Sequence, residues 1–258
     1  MQFSYSRVST YQQCPRRYKY QYVDGLKTLP NYDADNPLFL GTALHHGVET
    51  NVEDAIQEYL MTYPIATAKH TFEAIKLEYW VGKLKELIEN IDGEKVYEYK
   101  INTNMFVGYI DLLVKKNDGS YDIYDFKYSN NIDSYMKSGQ LHVYKYFYEE
   151  TSGNKVRNLY FIFIPKISIR MKKTETENQF INRLKLELKN KEIQVKKVEY
   201  DAQKVHEFMN SISDIYTEES YDTNKNRLCD WCPYKEWCHD GNDMNLLVKE
   251  VKNNMIQK

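Results

Sequence analysis

Along the chain, the spacing of apolar and polar positions changes twice. Residues 9–22 carry aromatic and apolar side chains at helical spacing, with Ser9 a candidate N-cap and Pro15 a point where a helix starts or kinks. Residues 28–36 read as a loop. Residues 37–61 read as one helix with Leu40, Leu44, Val48 and Val52 on one face, and residues 66–91 as a second long helix stopped by Asp92-Gly93. Beyond Gly93 the period falls to two. Residues 95–101, 106–115 and 121–128 read as strands, and Asp118-Gly119 is a hairpin signal between the last two. Helical spacing returns over 132–150, 158–165 is a short apolar run typical of a buried strand, and 166–178 is polar and irregular. A helix near 180–189, a strand near 193–200 and a helix near 202–216 precede a cysteine-bearing tail.

Helices, then a three-strand meander, then further helix and strand predict an α/β fold: a mixed central β-sheet flanked by helices. The expected organisation is one domain over 1–258, with a helical part at 1–92, a sheet core at 93–216 and a cysteine-rich segment at 217–258. No internal repeat or low-complexity stretch interrupts it.

Composition narrows the class. Hydrophobic residues are 42% of the chain and charged residues 28%, enough apolar matter for a core and too balanced for disorder. No run is long and apolar enough to span a bilayer, and the first residues lack an apolar signal core, so a cytoplasmic protein is expected. The four cysteines are then expected to be reduced or metal-bound. A formal net charge of -2 argues against a protein that coats nucleic acid through bulk positive charge.

Two segments carry candidate chemistry, Gly108-Tyr109-Ile110-Asp111 and Asp125-Phe126-Lys127. If the Asp118-Gly119 hairpin forms, Asp111 and Asp125 face each other across the ladder, and Lys127 shares a strand face with Asp125. Facing carboxylates in apolar strands cost free energy unless a cation lies between them, and oxygen ligands suit Mg²⁺ or Mn²⁺. Such a site can activate water against a phosphodiester, with the lysine beside the attacked phosphate. The plainer reading is a pair of solvated hairpin acids.

The cysteines form a second constellation. Cys229, Cys232 and Cys238 cluster as Cys-x2-Cys-x5-Cys, and Cys14 stands alone near the other end. Four thiolates with none left over suit a Cys₄ site, and spacing alone allows either Zn²⁺ or a [4Fe-4S] cluster.

Four motifs in order, Gly41-Thr42-Ala43-Leu44-His45, Gly108-Tyr109-Ile110-Asp111, Asp125-Phe126-Lys127 and Gln140 with Tyr144, resemble the RecB-like branch of the PD-(D/E)XK nucleases, which includes Cas4 and AddB nuclease domains. The resemblance implies a restriction-endonuclease-like core and a DNA-hydrolysing enzyme. It implies that His45, Asp111, Asp125 and the Phe126 carbonyl hold Mg²⁺ or Mn²⁺, and that Lys127 orients the attacking water. Gln140 and Tyr144, one helical turn apart, would contact DNA or support the site. Glu98 lies where relatives often have a supporting acid, and His46 is the alternative ligand to His45. Tyr11-x2-Cys14-Pro15-Arg16 and Cys232-Pro233 resemble the iron–sulfur segments of the same branch, which implies a structural [4Fe-4S] cluster on Cys14, Cys229, Cys232 and Cys238. His239 keeps a zinc alternative open.

Arg16, Arg17 and Lys19, and a second stretch of Lys166, Arg170, Lys172, Lys173, Arg183 and Lys185, are candidate contacts to linear double- or single-stranded DNA. The expected role is an exonuclease in recombination, repair or phage DNA processing, working alone or beside a recombination or helicase partner. The alternatives are a Cas4-like CRISPR adaptation nuclease and an inactive DNA-binding scaffold.

Overall fold

The computed structural model describes residues 1–29, 31–240 and 246–249. The rest of the expected cysteine-rich segment lies outside the described residues. The chain forms two compact units, Met1–Asn31 with Thr103–Val107 and Gln203–Lys258, and Tyr32–Asn102 with Gly108–Ala202.

The first unit opens with α1 (Tyr5–Gln13), α2 (Pro15–Tyr18), a π-helical turn (Lys19–Val23) and β1 (Leu26–Thr28). The cap of α1 is Ser4, whose hydroxyl accepts the Arg7 N–H, so the expected Ser9 cap lies inside the helix. Cys14 is extended and ends α1, and Pro15 starts α2 at a position where its missing N–H is not needed.

The second unit contains α3 (Pro37–Glu49), α4 (Val52–Met61), α5 (Ala68–Glu89), β2 (Glu94–Asn102), β3 (Val107–Lys115), β4 (Tyr121–Tyr128), α6 (Ile132–Met136), α7 (Gln140–Ser152), β5 (Val156–Ile164), α8 (Glu177–Lys189) and β6 (Gln194–Val198). The single helix expected over 37–61 is two. Thr50 leaves the helical region, and extended Asn51 caps α4 by accepting the Asp54 N–H. The helix expected over 132–150 also divides, at residues 137–139.

The sheet order is β2-β3-β4-β5-β6. β3 and β4 are antiparallel around the expected hairpin, where Gly119 takes φ 81. β4 and β5 are parallel, and β6 returns antiparallel to β5. Alternate residues Leu112, Val114, Tyr124, Phe126, Ile162 and Ile164 share one core with α3, α4, α5 and α8. α7 packs against β2, β4 and β5 from the other side. Two layers of helix therefore cover both faces, which explains why β4 and β5 are apolar nearly throughout.

The first unit is completed by α9 (Ala202–Thr217), a 3₁₀ turn (Arg227–Trp231), α10 (Lys235–Asp240) and β7 (Leu246–Lys249), which pairs antiparallel with β1. Phe3 bridges Phe106, and Phe208 packs edge-on against Phe106 at 5.8 Å. Tyr11 donates to Glu218 at 2.8 Å and Arg16 to the Tyr221 carbonyl at 2.7 Å. The two ends of the sequence thus build one core.

Gly47 marks a close helix crossing in the second unit. A Cβ there would lie 2.4 Å from the Ala55 Cβ and 3.1 Å from the Val81 methyls. Gly47→Ala is expected to cost about 1–3 kcal/mol through overpacking. In thermal denaturation that is a fall of roughly 2–4 °C per kcal/mol. Adding Ala55→Gly should restore part of the loss, and a Tm unchanged by Gly47→Ala would refute the crossing.

Candidate active site

The site lies where β3 and β4 part. Leu112 pairs with Tyr124, so the next step of the register sets Asp111 against Asp125. The ladder does not simply stop there. The Phe126 N–H donates to Asp111 Oδ2 at 2.6 Å, so a side chain replaces the backbone acceptor. Both carboxylates are buried, Asp125 almost completely.

Asp125 is held from two sides. Gln140 Nε2, in the first turn of α7, donates to Oδ1 at 2.9 Å, and Lys127 Nζ lies 2.5 Å from Oδ2. The lysine contact is an ion pair without hydrogen-bond alignment, and Oδ2 has no hydrogen-bond partner. Gln140 Nε2 also reaches the Tyr144 hydroxyl at 3.2 Å, one turn along α7. The expected pairing of Gln140 and Tyr144 on one helix face is present, and it acts on Asp125.

α3 contributes His45. Its ring packs edge-on against Phe126 at 5.6 Å, and Nδ1 lies 3.3 Å from Glu98 Oε1 and 3.5 Å from Asp111 Oδ1. His46 instead reaches Glu58, at 3.8 Å, and Glu49 is exposed. Glu98 reaches the cluster through a backbone irregularity. It has φ 48 in the middle of β2, a left-handed conformation that costs a non-glycine residue about 1 kcal/mol or more.

Electrostatics match this geometry. Burial acts to lower the His45 pKa, but Asp111, Glu98 and Asp125 outweigh it and hold the ring at about 9. Burial, and then the charge of Asp125, push the Asp111 carboxyl far above the usual range, with His45, Lys127 and the Phe126 N–H offsetting part. Burial would depress Lys127, yet Asp125 and Asp111 raise it, so its ammonium is charged at neutral pH. The site is two acids in low dielectric, balanced by protons and one lysine.

One ligand atom each from His45, Glu98 and Asp111 lies within 4.8 Å of the others. Adjacent ligands of an octahedral cation with bonds of about 2.0–2.1 Å are about 3 Å apart. The 3.3 and 3.5 Å separations fit that with a small contraction. The donor set, one imidazole and carboxylate oxygens, suits Mg²⁺ or Mn²⁺. Compared with the expected set of His45, Asp111, Asp125 and the Phe126 carbonyl, the closest trio replaces Asp125 by Glu98. Asp125 instead keeps its Oδ2 in the ion pair with Lys127.

The other candidate residues fall elsewhere. Cys14, Cys229, Cys232 and Cys238 all belong to the first unit. Burial, and then Cys14 and Cys232, raise the Cys238 thiol pKa. Arg16 is engaged with the backbone at Tyr221, and the Arg17 Nε is buried without a partner. Of the second basic stretch, Arg183 pairs with Glu175 at 2.7 Å and holds the Arg170 carbonyl, bracing the loop before α8. Tyr135 in α6 was not singled out by sequence pattern. Its ring centroid lies 5.3 Å from Lys127 Nζ.

Because Asp111 is ionised at a cost in the metal-free protein, Asp111→Asn should stabilise it. The amide can keep the Phe126 N–H bond without the charge. In EDTA at pH 8 a gain of about 1 kcal/mol, roughly 2–4 °C in Tm, is expected. Mn²⁺ should raise the Tm of the unaltered protein and not that of the variant. A variant less stable in EDTA, or one equally stabilised by Mn²⁺, would contradict this account.

A model of the PD-(D/E)XK nuclease superfamily matches residues 2–239. No curated protein matches. Among solved structures, a candidate exonuclease from Eubacterium rectale is similar with a TM-score of 0.56 at 13% identity, covering 90% of this chain and 87% of that one. SSO0001 has a TM-score of 0.43 at 12% identity, over 94% of this chain and 87% of the other. With the superfamily matched over most of its length and a mixed five-stranded sheet carrying Asp111, Asp125 and Lys127, the chain belongs to the PD-(D/E)XK nuclease superfamily.

Proposed function

We propose that this chain is a divalent-metal-dependent deoxyribonuclease that removes nucleotides from DNA ends. The observation that carries the reading is the buried ion pair of Asp125 and Lys127 beside Asp111, Glu98 and His45. A structural role would not favour two acids and a lysine in apolar strands, because burial there is costly without a cation or anion to bind. His45, Glu98, Asp111 and Asp125 would hold Mg²⁺ or Mn²⁺, and the Phe126 carbonyl is the further ligand that the family pattern suggests. A cation held there would make a bound water more acidic and shield charge on the leaving oxygen.

The chain's own groups have distinct tasks. Lys127 would release Asp125 to the cation and turn its ammonium to the attacking water and the phosphate. Gln140 fixes the Asp125 carboxylate, and Tyr144 fixes Gln140, so the acid keeps one orientation as charge develops. Action on ends is in keeping with the candidate exonuclease among similar folds. An inactive scaffold would gain nothing from retaining every one of these groups.

The four cysteines are read as ligands of a structural [4Fe-4S] cluster. The support is the Cys-x2-Cys-x5-Cys spacing of Cys229, Cys232 and Cys238 together with Cys14 in the same compact unit. By tying Cys14 to Cys229, Cys232 and Cys238 the cluster would close a long loop.

The test is digestion of end-labelled linear and closed circular DNA in Mn²⁺, Mg²⁺ or EDTA. Linear DNA alone should be degraded, only with metal, and Asp125→Asn or Lys127→Ala should each lower the rate by on the order of 10²–10³-fold. Cutting of circles would make it an endonuclease, and no cleavage by freshly prepared protein would favour the scaffold. Separately, anaerobically prepared protein should contain iron and absorb in the visible, and Cys229→Ser should lose both. Zinc in place of iron would overturn the cluster reading.

A further inference from the structure

The sheet register carries the catalytic face beyond the site. Asp125 pairs with Phe161, and Phe161 pairs with Lys196 on the edge strand β6. Cross-strand partners share a face, so Lys196 projects on the same side as Asp125. Two strand steps of about 4.8 Å place their backbones about 10 Å apart. In the next row, Lys127 pairs with Phe163 and Phe163 with Gln194.

What lies between is aromatic. Tyr135 packs over both intervening residues, with its ring centroid 6.2 Å from Phe161 and 6.0 Å from Phe163, and it is half-buried. The same ring borders the Lys127 ammonium. From β4 to β6 the face therefore presents the acidic site, Lys127, an aromatic ring and a second lysine.

Lys196 is exposed and makes no ion pair among the described residues. Its neighbour Lys197 points to the other face and lies 3.4 Å from Glu199. Lysines on edge strands often serve only to prevent strand-to-strand association. That purpose does not require the cation to be in register with the catalytic acid or separated from it by an aromatic ring. The chemistry matches a nucleic acid strand, in which phosphates alternate with flat, stackable bases.

We propose that this face is a track for the single-stranded end of the substrate. The scissile phosphate sits at Lys127, the adjacent base rests on Tyr135, and a flanking phosphate pairs with Lys196. The proposal builds on the nuclease reading above and specifies its substrate as a strand that is single-stranded next to the cleaved bond. α7 packs on β2, β4 and β5, and Lys196 lies on the exposed edge strand β6.

The test is binding of a short, fluorescently labelled single strand to the full chain in EDTA, where no cleavage occurs. Lys196→Gln should weaken binding about 3–10-fold and reduce the slope of log affinity against log salt by about 0.7. Tyr135→Leu should weaken it about 10-fold, and Tyr135→Phe, which keeps the ring, should not. Lys189→Gln, exposed in the last turn of α8, is the control and should change little. In turnover with Mn²⁺, Lys196→Gln should raise KM on single strands and leave kcat unchanged. It should have no effect on a thymidine p-nitrophenyl phosphodiester, which has no flanking phosphate. Unchanged affinity and salt slope in Lys196→Gln would overturn the track, as would equal loss in the Tyr135→Phe and Tyr135→Leu variants. If binding depends on both residues but the unaltered protein cleaves nothing, the nuclease reading fails and the track stands.

Discussion

Two carboxylates buried side by side are the constraint around which the second unit is arranged. Asp111 and Asp125 cannot both be ionised in an apolar sheet without nearby compensation. Each surrounding feature supplies some. The Phe126 N–H leaves the ladder for Asp111, Lys127 turns back along its own strand to Asp125, and Gln140 reaches down from α7. His45 comes from the opposite helical layer and holds a proton between Asp111 and Glu98. Three carboxylates, Asp111, Asp125 and Glu98, face one lysine and one imidazole, so negative charge remains in excess. A site short of positive charge is suited to take up a cation, which is also why its stability and its chemistry are opposed.

Much of this was legible in the sequence because it depends on period and local chemistry. Asp118-Gly119 set the hairpin, the hairpin set the register, and the register brought Asp111 to Asp125 and put Lys127 on the same face. The placement of Gln140 and Tyr144 needed only the helical repeat. What was not legible depends on the backbone departing from the repeat. Residues 37–61 keep their apolar face across the break at Thr50, since Val52 resumes the stripe after Asn51 caps a new helix. Ser4 and Ser9 are both acceptable caps, and the bridge from Phe3 to Phe106 fixes the chain ahead of Ser4. Glu98 was a candidate supporting acid from the sequence, but its left-handed backbone in mid-strand, beside His45, carries no composition signal in a glutamate.

The cysteine-bearing ends obey a different logic. In the first unit, aromatic contacts and single hydrogen bonds such as Tyr11 to Glu218 and Arg16 to Tyr221 join segments about 200 positions apart in sequence. Contacts so distant in sequence are costly in chain entropy before they are made. A metal cluster on Cys14 and the three later cysteines would offset that cost in one step. Arg16, a candidate DNA contact, donates its Nε to the Tyr221 carbonyl and so also serves this join.

The parallel pairing of β4 with β5 accounts for why so many functional groups follow Lys127 closely in sequence. Parallel neighbours cannot be joined by a tight turn, so the chain must leave the carboxyl end of β4 and return by a helical crossover. The crossover begins beside Asp125 and Lys127. Whatever residues open it are placed over the reacting end of the sheet, and here they are Tyr135 in α6 and Gln140 in the first turn of α7. Ligand sites at the carboxyl ends of parallel strands arise for this reason. The net charge of -2 is then no obstacle to the proposed binding of a polyanion, because the register puts Lys127 and Lys196 on one face with the Tyr135 ring between them, and a local field, not the whole-chain sum, would act on it.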